Sequence, residues 1–233
     1  MEDLRVLCLH GYHGDAQVLR RQLAPLASGL DGLVELVYID APSLAAGDFG
    51  WWHAEAAEIT AAERGAGVRP GAKHYRGWPR TRDAIISVFA QQGPFDGVFG
   101  FSQGAAVASL LVGLRSADGL AGDASGRPES GILRPSKSLA FDFAVMVGGF
   151  VVADADLARL YEERANYDLP SAHIIGRADA VVPKEASLAL ASRFNNPLVL
   201  EHEGGHVISH APQVREGFRV FLEEMRQRKK TRG

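Results

Sequence analysis

Three side chains in this sequence have the types that together perform nucleophilic acyl chemistry, and each follows an apolar run. The first is Ser102, in Gly100-Phe101-Ser102-Gln103-Gly104. Val98-Phe99 leads into that turn, and a small-residue helical pattern, Ala105 to Leu111, leaves it. A hydroxyl that attacks a carbonyl must stand clear of the strand before it and the helix behind it. That calls for a strained turn, and glycine on both flanks removes the side chains that would collide there. A helix starting at once behind Ser102 aims its free N–H groups at the place where an oxyanion would form. The second residue is Asp179, in Gly176-Arg177-Ala178-Asp179, and the third is His206, in Gly204-Gly205-His206.

A serine hydroxyl is a weak nucleophile near neutrality and needs a base such as histidine, while a carboxylate holds the imidazole in the useful tautomer. The chain order Ser102, Asp179, His206 is the order in which α/β-hydrolases carry this triad. Asp154 and Asp156 follow another apolar run, Phe141–Val152, and are alternative positions for the acid; Asp179 is preferred because its loop is short and rich in turn residues. His202 falls within a strand and His210 at the head of the last helix, whereas the two glycines before His206 give it the free backbone a catalytic loop needs. An oxyanion hole needs two N–H donors, and the backbone amides of Gln103 and of Tyr12, in Leu9-His10-Gly11-Tyr12, fit that requirement. His10 reads as structural. The eight histidines show no His-Glu-x-x-His pattern and no Cys/His cluster, so no metal ligand is assigned.

The elements that would position these residues alternate. Strands are predicted at Leu4–Leu9, Val34–Ile39, Asp96–Phe101, Phe141–Val152, Ser171–Ile175 and Leu198–His202. Helices are predicted at Ala16–Leu30, Thr81–Gln91, Ser102–Leu114, Lys184–Phe194 and Pro212–Arg228. Such alternation implies a mostly parallel sheet with helices on both faces, and in these sheets function gathers at the carboxyl ends of the strands. With 233 residues, 46% hydrophobic and 23% charged, the chain suits a single domain, residues 1–233. A net charge of −3 gives no reason to expect a nucleic-acid surface. There is no apolar run long enough to cross a membrane and no apolar leader, so a cytoplasmic location is expected. The lone cysteine, Cys8, reads as a buried core residue, and the basic stretch Arg226–Arg232 as a frayed, solvated helix end.

Leu7-Cys8-Leu9-His10-Gly11-Tyr12, the run Gly97–Gly104, Gly176-x-x-Asp179-x-x-Val182-Pro183 and Gly205-His206 together resemble the FSH-type serine hydrolases. These are small α/β-hydrolases that include fungal esterases, polyketide-releasing thioesterases and the ovarian-cancer-associated candidate hydrolase of animals. The resemblance spans nearly the whole chain. It implies the α/β-hydrolase fold, hydrolysis of a carboxylic ester or thioester without a cofactor, and Ser102, Asp179 and His206 as the triad. The sequence departs from the family pattern at His13-Gly14-Asp15. The alternatives are a thioesterase that releases acyl or polyketide chains from a carrier, and a non-catalytic binding protein of the same fold, which would have no need of all three triad side chains.

Two long segments interrupt the alternation. Residues 116–138 are polar and punctuated by Gly, Pro and Ser, and read as a mobile loop. Residues 43–79 read as an irregular insertion, with one helix around Ala54–Arg64, and they hold Phe49, Trp51, Trp52, Tyr75 and Trp78. Aromatics so concentrated in a loop at the catalytic edge either staple the long segment to the core or wall an apolar pocket; the second is the functional expectation, with Trp51, Trp52 and Trp78 binding a medium- or long-chain acyl group.

Overall fold

The computed structural model describes residues 3–43, 50–56, 73–117, 139–154, 156–162 and 166–232. Six strands form one sheet: β1 (Leu4–Leu9), β2 (Val34–Ile39), β5 (Gly97–Phe101), β6 (Phe143–Val147), β7 (Ser171–Gly176) and β8 (Leu198–His202). Their order across the sheet is β2-β1-β5-β6-β7-β8, and every neighbouring pair is parallel. Two further strands, β3 (His53–Ala56) and β4 (Lys73–Arg76), pair with each other antiparallel, apart from the main sheet. The helices are α1 (Ala16–Ala27), α2 (Trp78–Gln92), α3 (Gln103–Ala117), α4 (Arg159–Glu162), α5 (Lys184–Ala191) and α6 (Pro212–Arg232). Among the described residues no helix is long and apolar enough to cross a membrane.

Alternation along each strand divides the core into two layers. On β1, Leu7 and Leu9 pack with α2 and α3, while Leu4, Val6 and Cys8 pack with α1 and α6. On β6, Ala144 and Met146 take the first face and Phe143, Val145 and Val147 the second. This two-sided burial is why the interior strands read as unbroken apolar runs. It is also why α3 is apolar on all sides: it is buried throughout residues 105–112.

The expected strands and helices are present, with instructive differences at their ends. The run Phe141–Val152 is a strand only over Phe143–Val147, because Gly148 turns the chain with φ of +55°. The helix expected around Ala54–Arg64 is absent where it is described: residues 54–56 belong to β3, and 57–72 lie outside the described residues. Phe49 also lies outside them, as do residues 118–138 of the loop expected at 116–138. The basic end is not frayed. Helix α6 continues to Arg232, with Lys229 Nζ 3.0 Å from Asp96 Oδ2 and Arg232 NH1 2.7 Å from Asp142 Oδ1.

Burial also constrains three histidines. His173, inside β7, bonds to Ser171 Oγ (3.2 Å) and packs edge-on against Phe194. Burial pushes its pKa down to about 3, and burial lowers those of His10 and His202 too. Between the ordinary histidine value of 6.5 and about 3, the unfolded chain takes up a proton at His173 that the folded chain refuses. Stability is therefore full above that window and falls as pH drops through it, by up to about 1.4 kcal/mol per pH unit for this one residue. Urea unfolding midpoints measured in steps from pH 7 to pH 4 should decline, and H173Q should decline less steeply.

Candidate active site

The turn at Ser102 is the tightest point of the fold. Ser102 has φ of +55°, a left-handed conformation that costs a non-glycine residue about 1–3 kcal/mol. Its N–H donates to Val147 O (2.8 Å), and its C=O accepts from the N–H groups of Ala105 and Ala106 (2.9 and 3.1 Å), which opens α3. A Cβ on Gly100 would strike the Gly104 carbonyl, and one on Gly104 would strike the Leu9 carbonyl. Both glycines are thus required by the close approach of α3 to the ends of β5 and β1.

The loops after β7 and β8 bring the other two residues to this turn, and Ala178 N–H joins them by donating to Gly204 O (3.2 Å). Asp179 Oδ1 accepts from the N–H groups of Val181 and Val182 (2.9 and 2.8 Å). Asp179 Oδ2 lies 2.6 Å from His206 Nδ1, and His206 Nε2 lies 2.8 Å from Ser102 Oγ. Burial pushes the Asp179 carboxyl up, but the His206 bond and the Val182 and Val181 amides outweigh it and hold the group below the usual carboxylate range. An ionised Asp179 can only accept, so Nδ1 of His206 carries the ring proton and Nε2 is left to accept from Ser102. The imidazole packs on the Phe101 ring at 4.9 Å, and Gly148 lies so near that a Cβ there would stand 3.0 Å from His206 Cε1.

The alternative acid Asp154 is committed elsewhere. Asp154 is buried, and its oxygens accept from the N–H groups of Tyr75, Asp156 and Leu157. His202 is buried at the end of β8, with Nδ1 accepting from Gly204 N–H (3.1 Å), and His210 is exposed.

Tyr12 and Gln103 flank Ser102 in space as well. Gly11 abuts Ser102, where a Cβ would come within 3.3 Å of the serine Cβ. His10 is wholly buried: Nδ1–H donates to Gly11 O (2.8 Å) and Nε2 accepts from Ala41 N–H (3.0 Å), which fixes a neutral tautomer. The Gln103 side chain does something its sequence position did not reveal. Its Oε1 accepts from Trp51 N–H (2.8 Å) and its Nε2 donates to Trp52 O (2.9 Å), so it ties the residues leading into β3 to the serine turn.

A cleft of about 540 Å³ opens at Ser102. Trp52, His53, Ala54 and Tyr75 border it on the β3–β4 hairpin, Phe150 after β6, and Val181, Val182, Pro183 and Ala186 beyond Asp179; Tyr12 and Gln103 complete it. Of the three tryptophans expected to bind substrate, Trp52 borders the cleft, but Trp51 and Trp78 do not. They are core residues, each 1% exposed. Trp51 donates Nε1–H to His10 O (2.8 Å), and its carbonyl accepts from Thr81 Oγ1 (2.5 Å). Concentration of aromatics along the chain marked the right segment, but not which rings face inward. Phe101, Gly148 and Phe150 were missed. The only sequence signal for them was Gly148-Gly149 inside an apolar run, read as part of a strand.

A family profile described as "Serine hydrolase (FSH1)" matches residues 1–217. "Esterase OVCA2" of Homo sapiens is 32% identical over 241 residues, covering 95% of this chain and 96% of that protein. "Esterase CG5412" of Drosophila melanogaster is 30% identical over 235 residues, covering 96% of this chain and 75% of that protein. Among solved structures, acyl-protein thioesterase 2 of Zea mays aligns over 97% of this chain and 94% of its own, with a TM-score of 0.64 at 19% identity, a likeness of fold.

The contact between Gly148 and His206 makes a direct prediction. In G148A the new methyl must push the imidazole away from Ser102, and displacements of this kind cost about 10²-fold in rate. The left-handed backbone adds a stability loss of about 1 kcal/mol. Ester turnover should fall by that factor while the circular dichroism spectrum stays that of a folded protein. Wild-type turnover in a folded G148A would mean that the His206 position is not set by this contact.

Proposed function

This chain belongs to the FSH1 serine hydrolase family, and on that premise we propose that it hydrolyses medium- to long-chain carboxylic esters through an acyl-enzyme on Ser102. The observation that carries this reading is the hydrogen-bonded series Asp179–His206–Ser102 at the edge of a largely apolar cleft. Ser102 Oγ attacks the ester carbonyl as His206 Nε2 takes its proton, and Asp179 stabilises the imidazolium through Nδ1–H. The backbone N–H groups of Gln103 and Tyr12 receive the oxyanion. His206 then protonates the departing alcohol, and water activated by the same nitrogen releases the acid. A thioester carbonyl would meet the same groups, so both substrate types belong in the test.

The cleft supports the choice of acyl group. Its volume lies in the range of small-molecule sites, and Trp52, Tyr75, Phe150 and Val182 give it apolar walls. Each methylene moved from water into such a wall is worth about 0.8 kcal/mol, or roughly fourfold in kcat/KM.

Three measurements test this reading. A fluorophosphonate probe should label the wild type and not S102A, whose kcat should fall about 10⁴-fold or more. A binding protein without catalysis would show neither labelling nor turnover. D179N should stay folded but lose up to about 10⁴ in kcat, because an amide holds His206 in the wrong tautomer. Over esters and thioesters from two to sixteen carbons, kcat/KM should rise with chain length until the cleft is full, and W52A should flatten the rise. A flat wild-type profile would remove the acyl-chain reading and leave the serine chemistry intact.

A further inference from the structure

Asp154 occupies the end of the β6 connection, one of the two places where the sequence allowed a catalytic acid, yet among the described residues the three hydrogen bonds it accepts come from backbone amides. Oδ2 accepts from Tyr75 N–H (2.7 Å), and Oδ1 accepts from the N–H groups of Asp156 and Leu157 (3.0 Å each). The residue is 5% exposed, and its Oδ2 also lies 3.9 Å from Nδ1 of His74 on β4. A buried carboxylate placed to bind three amides fixes the chain segments that carry them.

What it fixes is a wall of the cleft. Tyr75 stacks on Trp52 with ring centroids 4.7 Å apart and planes 8° from parallel, and both border the cleft. The Tyr75 hydroxyl accepts from Ala153 N–H (3.0 Å), and Lys73 N–H donates to Ala153 O (2.8 Å). Strand β4 is thereby laid along residues 153–154, with Lys73 bridged to Asp154 in parallel register. The hairpin consists of two four-residue strands, too short to hold a position alone. Gln103 anchors the residues entering β3, and Asp154 anchors β4.

We infer that Asp154 is a positioning residue for substrate selection: it holds the Trp52–Tyr75 wall in place and so sets how strongly long acyl chains are preferred, without taking part in the chemistry at Ser102. The inference rests on reading the cleft as an acyl site.

The test is kcat and KM for esters of two to sixteen acyl carbons, with fluorophosphonate labelling rates, for wild type, D154N and Y75F. An asparagine cannot accept from all three amides, because one of its two terminal atoms is itself a donor. D154N should label at the wild-type rate and keep acetate-ester kcat within about twofold. It should lose roughly tenfold in kcat/KM on long-chain esters, chiefly through KM. Y75F, which severs only the bond to Ala153, should shift the profile the same way by a smaller factor. A loss equal at every chain length overturns the inference, since it would place Asp154 in the chemistry or in general stability. An unchanged profile in folded D154N also overturns it. Should D154N not fold, D154E, which keeps the carboxylate but moves its oxygens off the three amides, decides by the same readings: an unchanged profile in folded D154E overturns the inference. A wild type that labels but shows no chain-length preference overturns the acyl reading, and this inference with it.

Discussion

Helix α3 has to begin in contact with the ends of two strands, and most of the architecture around the site follows from that requirement. The carbonyls of Leu9 and Gly104 lie where side chains on Gly104 and Gly100 would stand, so only backbone separates β1, β5 and the first turn of α3. Ser102 then has no ordinary conformation available and takes the left-handed one. The strain is held by the surroundings: the Ser102 amide is bonded to β6, its carbonyl opens a helix, and that helix is buried through its apolar length. A hydroxyl on so constrained a turn cannot retreat into the sheet. It stays at the edge, where the loops after β7 and β8 converge on it.

Neighbouring strands β6 and β7 each lead to a buried aspartate, and the two illustrate how partners decide what a carboxylate does. Asp179 gives one oxygen to backbone amides and keeps the other for an imidazole. Asp154 gives both oxygens to amides, one of them on a distant hairpin. The same functional group thus orients a proton acceptor in one loop and fixes the shape of a cleft in the next. Gln103 divides its roles in a similar manner, since its backbone stands beside Ser102 while its side chain grips the residues before β3.

How much of this was legible in the sequence depended on the range of the interactions. The strands β1, β2 and β8 have the expected limits because apolar runs and the turn residues that end them are local signals. That Ser102, Asp179 and His206 belong together was legible because each lies within four residues of the carboxyl end of a strand and the chain order is informative. The β3–β4 hairpin was not, since His53-Ala54-Glu55-Ala56 and Lys73-His74-Tyr75-Arg76 are four residues each and carry only one large apolar side chain, Tyr75, between them. Their pairing is held from outside, by residues 79 and 51 positions away in the chain. The facing of the tryptophans was hidden for the same reason. Trp51 and Trp52 point to different surroundings because one bonds to His10, just after β1, and to Thr81 on α2, and the other stacks on β4.

Helix α6 has a consequence of a different kind. It leaves the loop that carries His206 and runs back for 21 residues, about 31 Å, beside the sheet. Its last turns are fastened to Asp96 and Asp142, which precede β5 and β6, and Arg226 is bonded to Gly32, which precedes β2. The chain therefore reaches Arg232 at the edge of the sheet opposite the cleft. Anything joined beyond that point, whether a fused module, an affinity handle or a solid support, is attached at the rear of the molecule. A molecule immobilised there presents its cleft outward, so its orientation on a surface is set by the course of one helix.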